Sequence, residues 1–214
     1  SLGVTRFPNK IKGIRVTGVN QVFVSDITYY EIGSKFYYLT FIMDLFNREI
    51  VGWSASDNLR TENTTLPALY KLIKERGESN ISGAIIHSDG GGQYYCKEFT
   101  TLTKKLKMVN SMTEEKVYEN SHAERLNGVI KNNYLYPYGP HNFMTLNKQL
   151  ERAVKMYNEG KPHIALGKLT PKEYRRKYTV DNENNLRTSY FPLPTVYHIQ
   201  NFEKIINNKK VNSI

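Results

Sequence analysis

Residues 21 to 56 hold three runs rich in β-branched and aromatic side chains, parted by short connectors with turn chemistry. The runs are Gln21 to Tyr29, Phe36 to Phe46 and Glu49 to Ser56. Glu31-Ile32-Gly33-Ser34 and the stretch Asp44 to Arg48 supply the turns, so the three runs predict an antiparallel meander. The pattern then changes period. Leu66, Leu69, Tyr70 and Ile73 fall on one helical face, with Pro67 in the first turn and Gly77 as a stop. A short strand at Gly83 to Ser88 follows, then a helix carrying Phe99, Leu102 and Leu106, and a short strand at Met108 to Met112. Two more helices are expected, from about His122 to Tyr134 and from about Leu146 to Tyr157. Three strands, helix, strand, helix, strand, helices is the order of an α/β chain. An antiparallel meander extended by strands with helical crossovers makes a mixed sheet flanked by helices.

The 214 residues suit one large domain with appendages. Residues 1 to 20 are basic and patternless and read as an arm or loose lead-in, residues 21 to 178 as the core, and 179 to 214 as a polar, Asn-rich extension. The single cysteine, Cys96, excludes a disulfide framework and a multi-cysteine zinc site, and a reducing cytoplasm is the expected setting. The longest nearly apolar run, Phe36 to Phe46, is interrupted by Asp44 and is too short to span a bilayer. The opening residues have no apolar segment of a signal peptide and no Met, as in a fragment. A net charge of +10 spread through patterned sequence points to a folded basic surface with an anionic partner, nucleic acid first and a membrane surface second.

Three carboxylates stand where carboxylates are out of place. Asp26 interrupts the first strand in VFVSDITYY, although strands disfavour Asp and its burial costs desolvation energy. Asp89 ends the fourth strand in IIHSDGGGQYY and opens into three glycines. Glu124 lies near the start of the helix SHAERLNGVIKNN. If the first and fourth strands are neighbours and that helix packs across them, the three converge. Converging carboxylates repel and need a compensating cation, and oxygen-only donors suit Mg²⁺ or Mn²⁺. Two such ions would clamp the attacking and leaving oxygens of a phosphoryl displacement. Taken singly, an Asp at a strand end is an ordinary turn starter and a Glu in a first helical turn an ordinary dipole complement.

VFVSDITYY, DLFNREIVGW, IIHSDGGGQYY, SMTEE…YENSHAERLNGVIK and YNEGKPHIALGKLTPKEY resemble, in that order, the catalytic core of bacterial insertion-sequence transposases of the DDE class. The resemblance runs from about Val22 to Tyr178. That core is similar to retroviral integrase and to ribonuclease H, which implies a ribonuclease-H-like mixed five-stranded sheet, three antiparallel strands plus two parallel. The resemblance makes Asp26, Asp89 and Glu124 the catalytic, metal-binding triad, holding two Mg²⁺ or Mn²⁺ ions. It makes Lys131, seven residues after Glu124 on the same helical face, a DNA phosphate contact, with Asn127 sharing that face. Lys161 and His163, in YNEGKPH, become further candidates for contact with DNA backbone, or else cap and pack. Asp89 and Glu124 are separated by one residue fewer than is usual in the family, and the shortening falls in EEKVYENSH, which leaves Glu119 as a rival for the third carboxylate. Asn133 also departs from the family, which often carries an acid after the Lys. His87 and Trp53 read as core or supporting residues and Asp44 as the shaper of the second turn. No Gly-Lys-Ser/Thr follows the glycines, so they form no P-loop.

The function implied is metal-dependent cleavage of DNA at the end of a mobile element, followed by attack of the freed 3′-OH on target DNA. The rivals are a ribonuclease-H-like nuclease without strand transfer and a non-catalytic DNA-binding module. The expected partners are element ends and target DNA, with a homo-oligomer in the active complex, no membrane, and a bacterial cytoplasmic, nucleoid-associated setting. Recognition of the element ends is expected to lie on a missing N-terminal part.

Overall fold

The computed structural model of the protein describes residues 7–114 and 120–184. Glu119 and residues 185–214 of the expected C-terminal extension lie outside the described residues. Strands β1 (Val22–Ile32), β2 (Lys35–Asp44) and β3 (Ile50–Ser56) form the meander. Helix α1 (Thr65–Arg76) leads to β4 (Ile85–Ser88), the one-turn α2 (Gly92–Tyr95) and α3 (Lys97–Lys105). Then come β5 (Val109–Met112), α4 (Ser121–Ile130), α5 (Phe143–Gly160) and α6 (Pro171–Asn184). The sheet order is β3-β2-β1-β4-β5, with β1/β2 and β2/β3 antiparallel and β1/β4 and β4/β5 parallel. This is the mixed five-stranded sheet that the order of elements predicts.

Alternation along the strands divides the core into two layers. Val22, Val24 and Tyr30 of β1, with Leu39, Phe41 and Met43 of β2, pack against Leu126 and Ile130 of α4 and Leu146, Leu150 and Val154 of α5. On the other face Phe23, Ile42 and Ile86 meet Leu69 and Leu72 of α1 and Phe99 of α3. Asp26 belongs to the first set by its position in the alternation. It therefore points toward α4.

Several motifs prove to be framework. Asn158, buried on α5, accepts from the Ile50 amide at 2.9 Å and donates to the Ile50 carbonyl at 2.9 Å. It thereby saturates one peptide of β3 beside the register shift at Ile42/Met43. Asn47 donates to Glu49 (2.9 Å) and to the Pro171 carbonyl (3.2 Å), joining the β2–β3 turn to α6. Glu49, 1% exposed, is bound by Arg76 of α1 and by Arg175 of α6, the latter at 3.2 Å. Gly52 lies so close to α1 that a Cβ there would stand 2.3 Å from the Ala68 carbonyl oxygen. Asp44 does shape its turn: fully buried, it accepts from the Asn20 and Phe46 amides at 2.8 and 3.0 Å. Trp53 is half-buried against the core with the Lys71 ammonium 4.3 Å from its ring centroid.

Two stretches differ from the sequence reading. Residues 7–20 are irregular yet not loose, since Val16 is buried and Ile11, Ile14 and Val19 pack on the core. Side chains replace the missing ladder there: the Lys10 amide donates to Ser111 Oγ and the Thr17 amide to Gln21 Oε1. The second difference is α6, whose sequence is too charged to show an apolar stripe. Its start is nonetheless marked in Thr170-Pro-Lys-Glu173, a capping box with Pro at the first helical position. Glu173 Oε2 accepts from the Thr170 amide at 2.8 Å and Thr170 Oγ1 from the Glu173 amide at 3.3 Å.

Replacing Asn158 with Ala strands a buried amide and a buried carbonyl on Ile50. Urea denaturation should show a loss of about 2–4 kcal/mol. Lys172→Ala, which removes a surface pair with Glu159, should cost no more than about 1 kcal/mol.

Candidate active site

Parallel pairing of β1 with β4 ends at Ser25↔Ser88. The next residue on each strand is a carboxylate, Asp26 on β1 and Asp89 just past β4. Equivalent positions on neighbouring parallel strands share a face, so the two acids stand side by side where the sheet steps down from five strands to the β1–β2 hairpin and β3. From Asp26 to Ile32, β1 pairs only with β2, and its other edge is open.

Helix α4 is laid along that open edge by three side chains of one face. Asn120, its N-cap, donates to the Ser25 carbonyl at 3.0 Å. Asn127 donates to Asp26 Oδ2 at 2.7 Å, and Lys131 Nζ to Thr28 Oγ1 at 3.0 Å. Contacts at positions 120, 127 and 131 step along β1 from residue 25 to 28. Glu124 lies between the first two, four residues after Asn120 and three before Asn127, and so on the same helical face. After Ile130 the helix passes into a single π turn, Lys131–Leu135, where an uninterrupted α-helix to Tyr134 was expected.

The floor beneath the acids is polar and satisfied. Ser25 Oγ donates to the Phe41 carbonyl at 2.9 Å and lies 2.9 Å from Tyr94 OH, which α2 holds fully under the site. Asp89 Oδ1 accepts from the Gly91 amide at 3.1 Å. None of Gly90, Gly91 and Gly92 has a positive φ, so left-handed geometry does not require them. At Gly91 a Cβ would stand 3.0 Å from Asp89 Oδ1 and crowd that carboxylate. His87, wholly buried, faces Ser111 across the β4/β5 pair with Nδ1 2.9 Å from Ser111 Oγ, a supporting position as the sequence suggests.

The electrostatics follow from this geometry. Burial, then the Asp89 charge and to a lesser degree that of Glu124, push the Asp26 carboxyl from the usual 3.8 up to about 7, against its hydrogen bonds from the Ile27 amide and Asn127. Burial likewise raises Asp89. Among the described residues neither acid has an ion pair with Lys, Arg or His. Adjacent, part-buried carboxylate oxygens without a cationic partner are the donor set of a hard divalent ion. The fit is incomplete for one shared ion, because among the described residues no three acidic, His or Cys side chains gather closely enough. Glu124 is exposed, and its charge acts on Asp26 less than that of Asp89 does.

Lys161 and His163 are not brought to the acids. Lys161 ends α5, and His163 lies edge-on to Tyr157, ring centroids 5.0 Å apart, in a bridge with Leu169. Asn120 was not singled out in the sequence. A signal was available in its position directly before the apolar-periodic helix, where Asn is a favoured cap.

Two family profiles, each described as integrase core domain, match residues 16–116 and 109–171. The transposase for insertion sequence element IS629 of Shigella sonnei is 30% identical over 160 residues, 74% of this chain and 53% of its own length. Transposase InsF of insertion sequence IS3A from Escherichia coli K12 is 26% identical over 168 residues, 75% of this chain and 56% of its own. The chain thus spans little more than half the length of these curated relatives. The HTLV-2 integrase catalytic core, solved in complex with magnesium in a dimeric form, superposes with a TM-score of 0.60 at 20% identity, covering 75% of this chain and 99% of that one. The simian T-cell lymphotropic virus intasome gives a TM-score of 0.66 at 19% identity, covering 88% and 62%. At such identities the likeness establishes the ribonuclease-H-like fold.

A carboxyl group with a folded-state pKa near 7 holds a proton that the unfolded chain releases near 3.8. Between those values the folded state binds more protons, so stability falls as pH rises from about 4 to 7 and levels off above. In metal-free buffer Asp26→Asn should therefore be more stable than the parent at pH 8, by about 1–3 kcal/mol, and nearly equal at pH 4. Thermal denaturation in chelator across this range is the measurement, and a destabilised Asp26→Asn at pH 8 would refute it.

Proposed function

This chain belongs to the integrase core domain family of insertion-sequence transposases, and we propose that it is the DDE catalytic core that cuts and joins DNA for a mobile element. The observation that carries the reading is the pair Asp26 and Asp89 at the end of the β1/β4 pairing, with the helix bearing Glu124 pinned alongside by Asn120 and Asn127. Asp26, Asp89 and Glu124 are the residues that would hold divalent metal. When bound, Mg²⁺ or Mn²⁺ supplies Lewis-acid activation of the phosphodiester and lowers the pKa of water or of a 3′-OH. No Ser or Tyr nucleophile is required.

The chain's own groups do the rest. Asn127 fixes the rotation of the Asp26 carboxylate by binding Oδ2. Gly91 leaves the Asp89 carboxylate unobstructed and donates its amide to Oδ1. Lys131, one helical turn past Asn127, lies at the mouth of the step, where its ammonium would meet a DNA phosphate. Glu124, in the first turn of α4 with its charge acting on Asp26, completes the triad. Lys161 and His163 then cap and pack at the α5–α6 connection, the other role that the sequence leaves open to them. The excess of 30 Lys and Arg over 20 Asp and Glu gives the general attraction to DNA and a steep salt dependence. Synapsis of two element ends requires at least two copies in the active complex.

The test joins pre-cleaved 3′-OH ends to a target duplex in Mg²⁺ or Mn²⁺. Asp26→Asn, Asp89→Asn and Glu124→Gln should each lower joining by roughly a hundredfold or more, and Mn²⁺ titration should lose its heat with the two Asp variants. Nicking without joining would favour a nuclease. Equal Mn²⁺ binding by the parent and Asp89→Asn would overturn the site.

A further inference from the structure

The open edge of β1 carries more than the acids. Beyond Asp26 the β1–β2 hairpin projects past β4, and Tyr29 and Phe36 stand on its far side, 60% and 46% exposed. Their rings meet edge to face with centroids 5.5 Å apart. The register places Tyr29 opposite Tyr38 and Phe36 opposite Glu31, so the two rings are diagonal neighbours on one face of the hairpin. Lys131 reaches over the open edge to Tyr29: its Nζ lies 5.3 Å from the Tyr29 ring centroid, 3.5 Å from the Tyr29 carbonyl and 3.0 Å from Thr28 Oγ1. Two large aromatic rings thus stand in water on the face of β1 opposite to Asp26, with the Lys131 ammonium beside Tyr29 at the unpaired edge between the two faces.

Resting on the proposed function, we propose that Tyr29, backed by Phe36, is the stacking platform for an unpaired base of the DNA strand whose phosphate enters the step at Asp26 and Asp89. Three residues of β1 span about 10 Å along the strand, and a DNA strand that rounds the unpaired edge at Lys131 passes from the Asp26 face to the Tyr29 face. An aromatic face accepts any base, and an adjoining cation takes the phosphate between stacked nucleotides, which is the usual construction of a single-strand site. The carboxylate Glu31, opposite Phe36, repels the backbone beyond that point and sets the far limit of the platform. A partner protein would gain from the rings but not from the ammonium beside Tyr29, nor from an edge that leads round to the acids. A strand end frayed from its duplex gains from all of them.

The experiment uses the whole 214-residue chain and a duplex of arbitrary sequence with a short single-stranded 3′ overhang containing 5-iodouracil. Irradiation should crosslink the overhang to Tyr29 or Phe36, as mapped by mass spectrometry of the peptides. By fluorescence anisotropy Tyr29→Ala should bind the overhang roughly tenfold more weakly, with blunt duplex binding unchanged. Tyr29→Phe should behave as the parent, and so should Tyr70→Ala, which removes an exposed ring of α1. Crosslinks confined to other residues, or an unchanged overhang affinity in Tyr29→Ala, would overturn the platform. If joining activity is intact in the parent while Tyr29→Ala is silent, the platform alone falls. If the parent binds neither DNA, the proposed function falls with it.

Discussion

The parallel pairing of β1 with β4 is the contact on which the rest depends. It is only four residue pairs long and stops at Ser25↔Ser88. A longer pairing would carry the ladder past Asp26 and Asp89 and close the edge of β1 that they border. A shorter one would leave them on separate, unaligned strand ends. The observed length holds them level with each other at a step, half-covered and open on one side. The same step leaves β1 an unpaired edge, and α4 uses that edge as a track for Asn120, Asn127 and Lys131.

Holding like charges together opposes folding, and the remainder of the molecule offsets it. Asn158 closes the hydrogen bonds of Ile50, Gly52 admits α1 to within backbone contact, and Glu49 gathers Arg76 and Arg175 at a point where β3, α1 and α6 meet. These contacts lie on the β2–β3 half of the sheet, away from the step. Stability is concentrated in one half and the electrostatic strain in the other, an arrangement common where a site needs groups that would not choose each other's company.

Much of this was legible in the residues because local chemistry and global fold agree. The turns at Gly33 and at Asp44 to Arg48, the helical stripe of α1 and the period-two strands gave the sheet directly. Asp26 and Asp89 were conspicuous because a carboxylate in a strand, or before three glycines, contradicts local preference. Other parts left weaker traces. A helix as charged as α6 carries its signal in a cap, not in a stripe. Residues 7–20 pack through isolated apolar side chains at irregular spacing, for which no period exists to read. Glu124 left the weakest trace of the three acids, because a Glu in a first helical turn agrees with local preference.

The framework role of Asn47, Asn158 and Gly52 has a consequence for what resemblance means in chains of this kind. FNREIVGW and YNEGKPH are among the stretches that make this chain resemble the transposases, and the described side chains in them that make the firmest contacts hold β3, α1, α5 and α6 together. The reacting groups occupy other positions and contribute little to that scaffold. A copy that had lost Asp89 would keep its architecture and still be recognised as kin. Ancestry and competence are thus written in different residues, so a decayed element and a working one can share a silhouette.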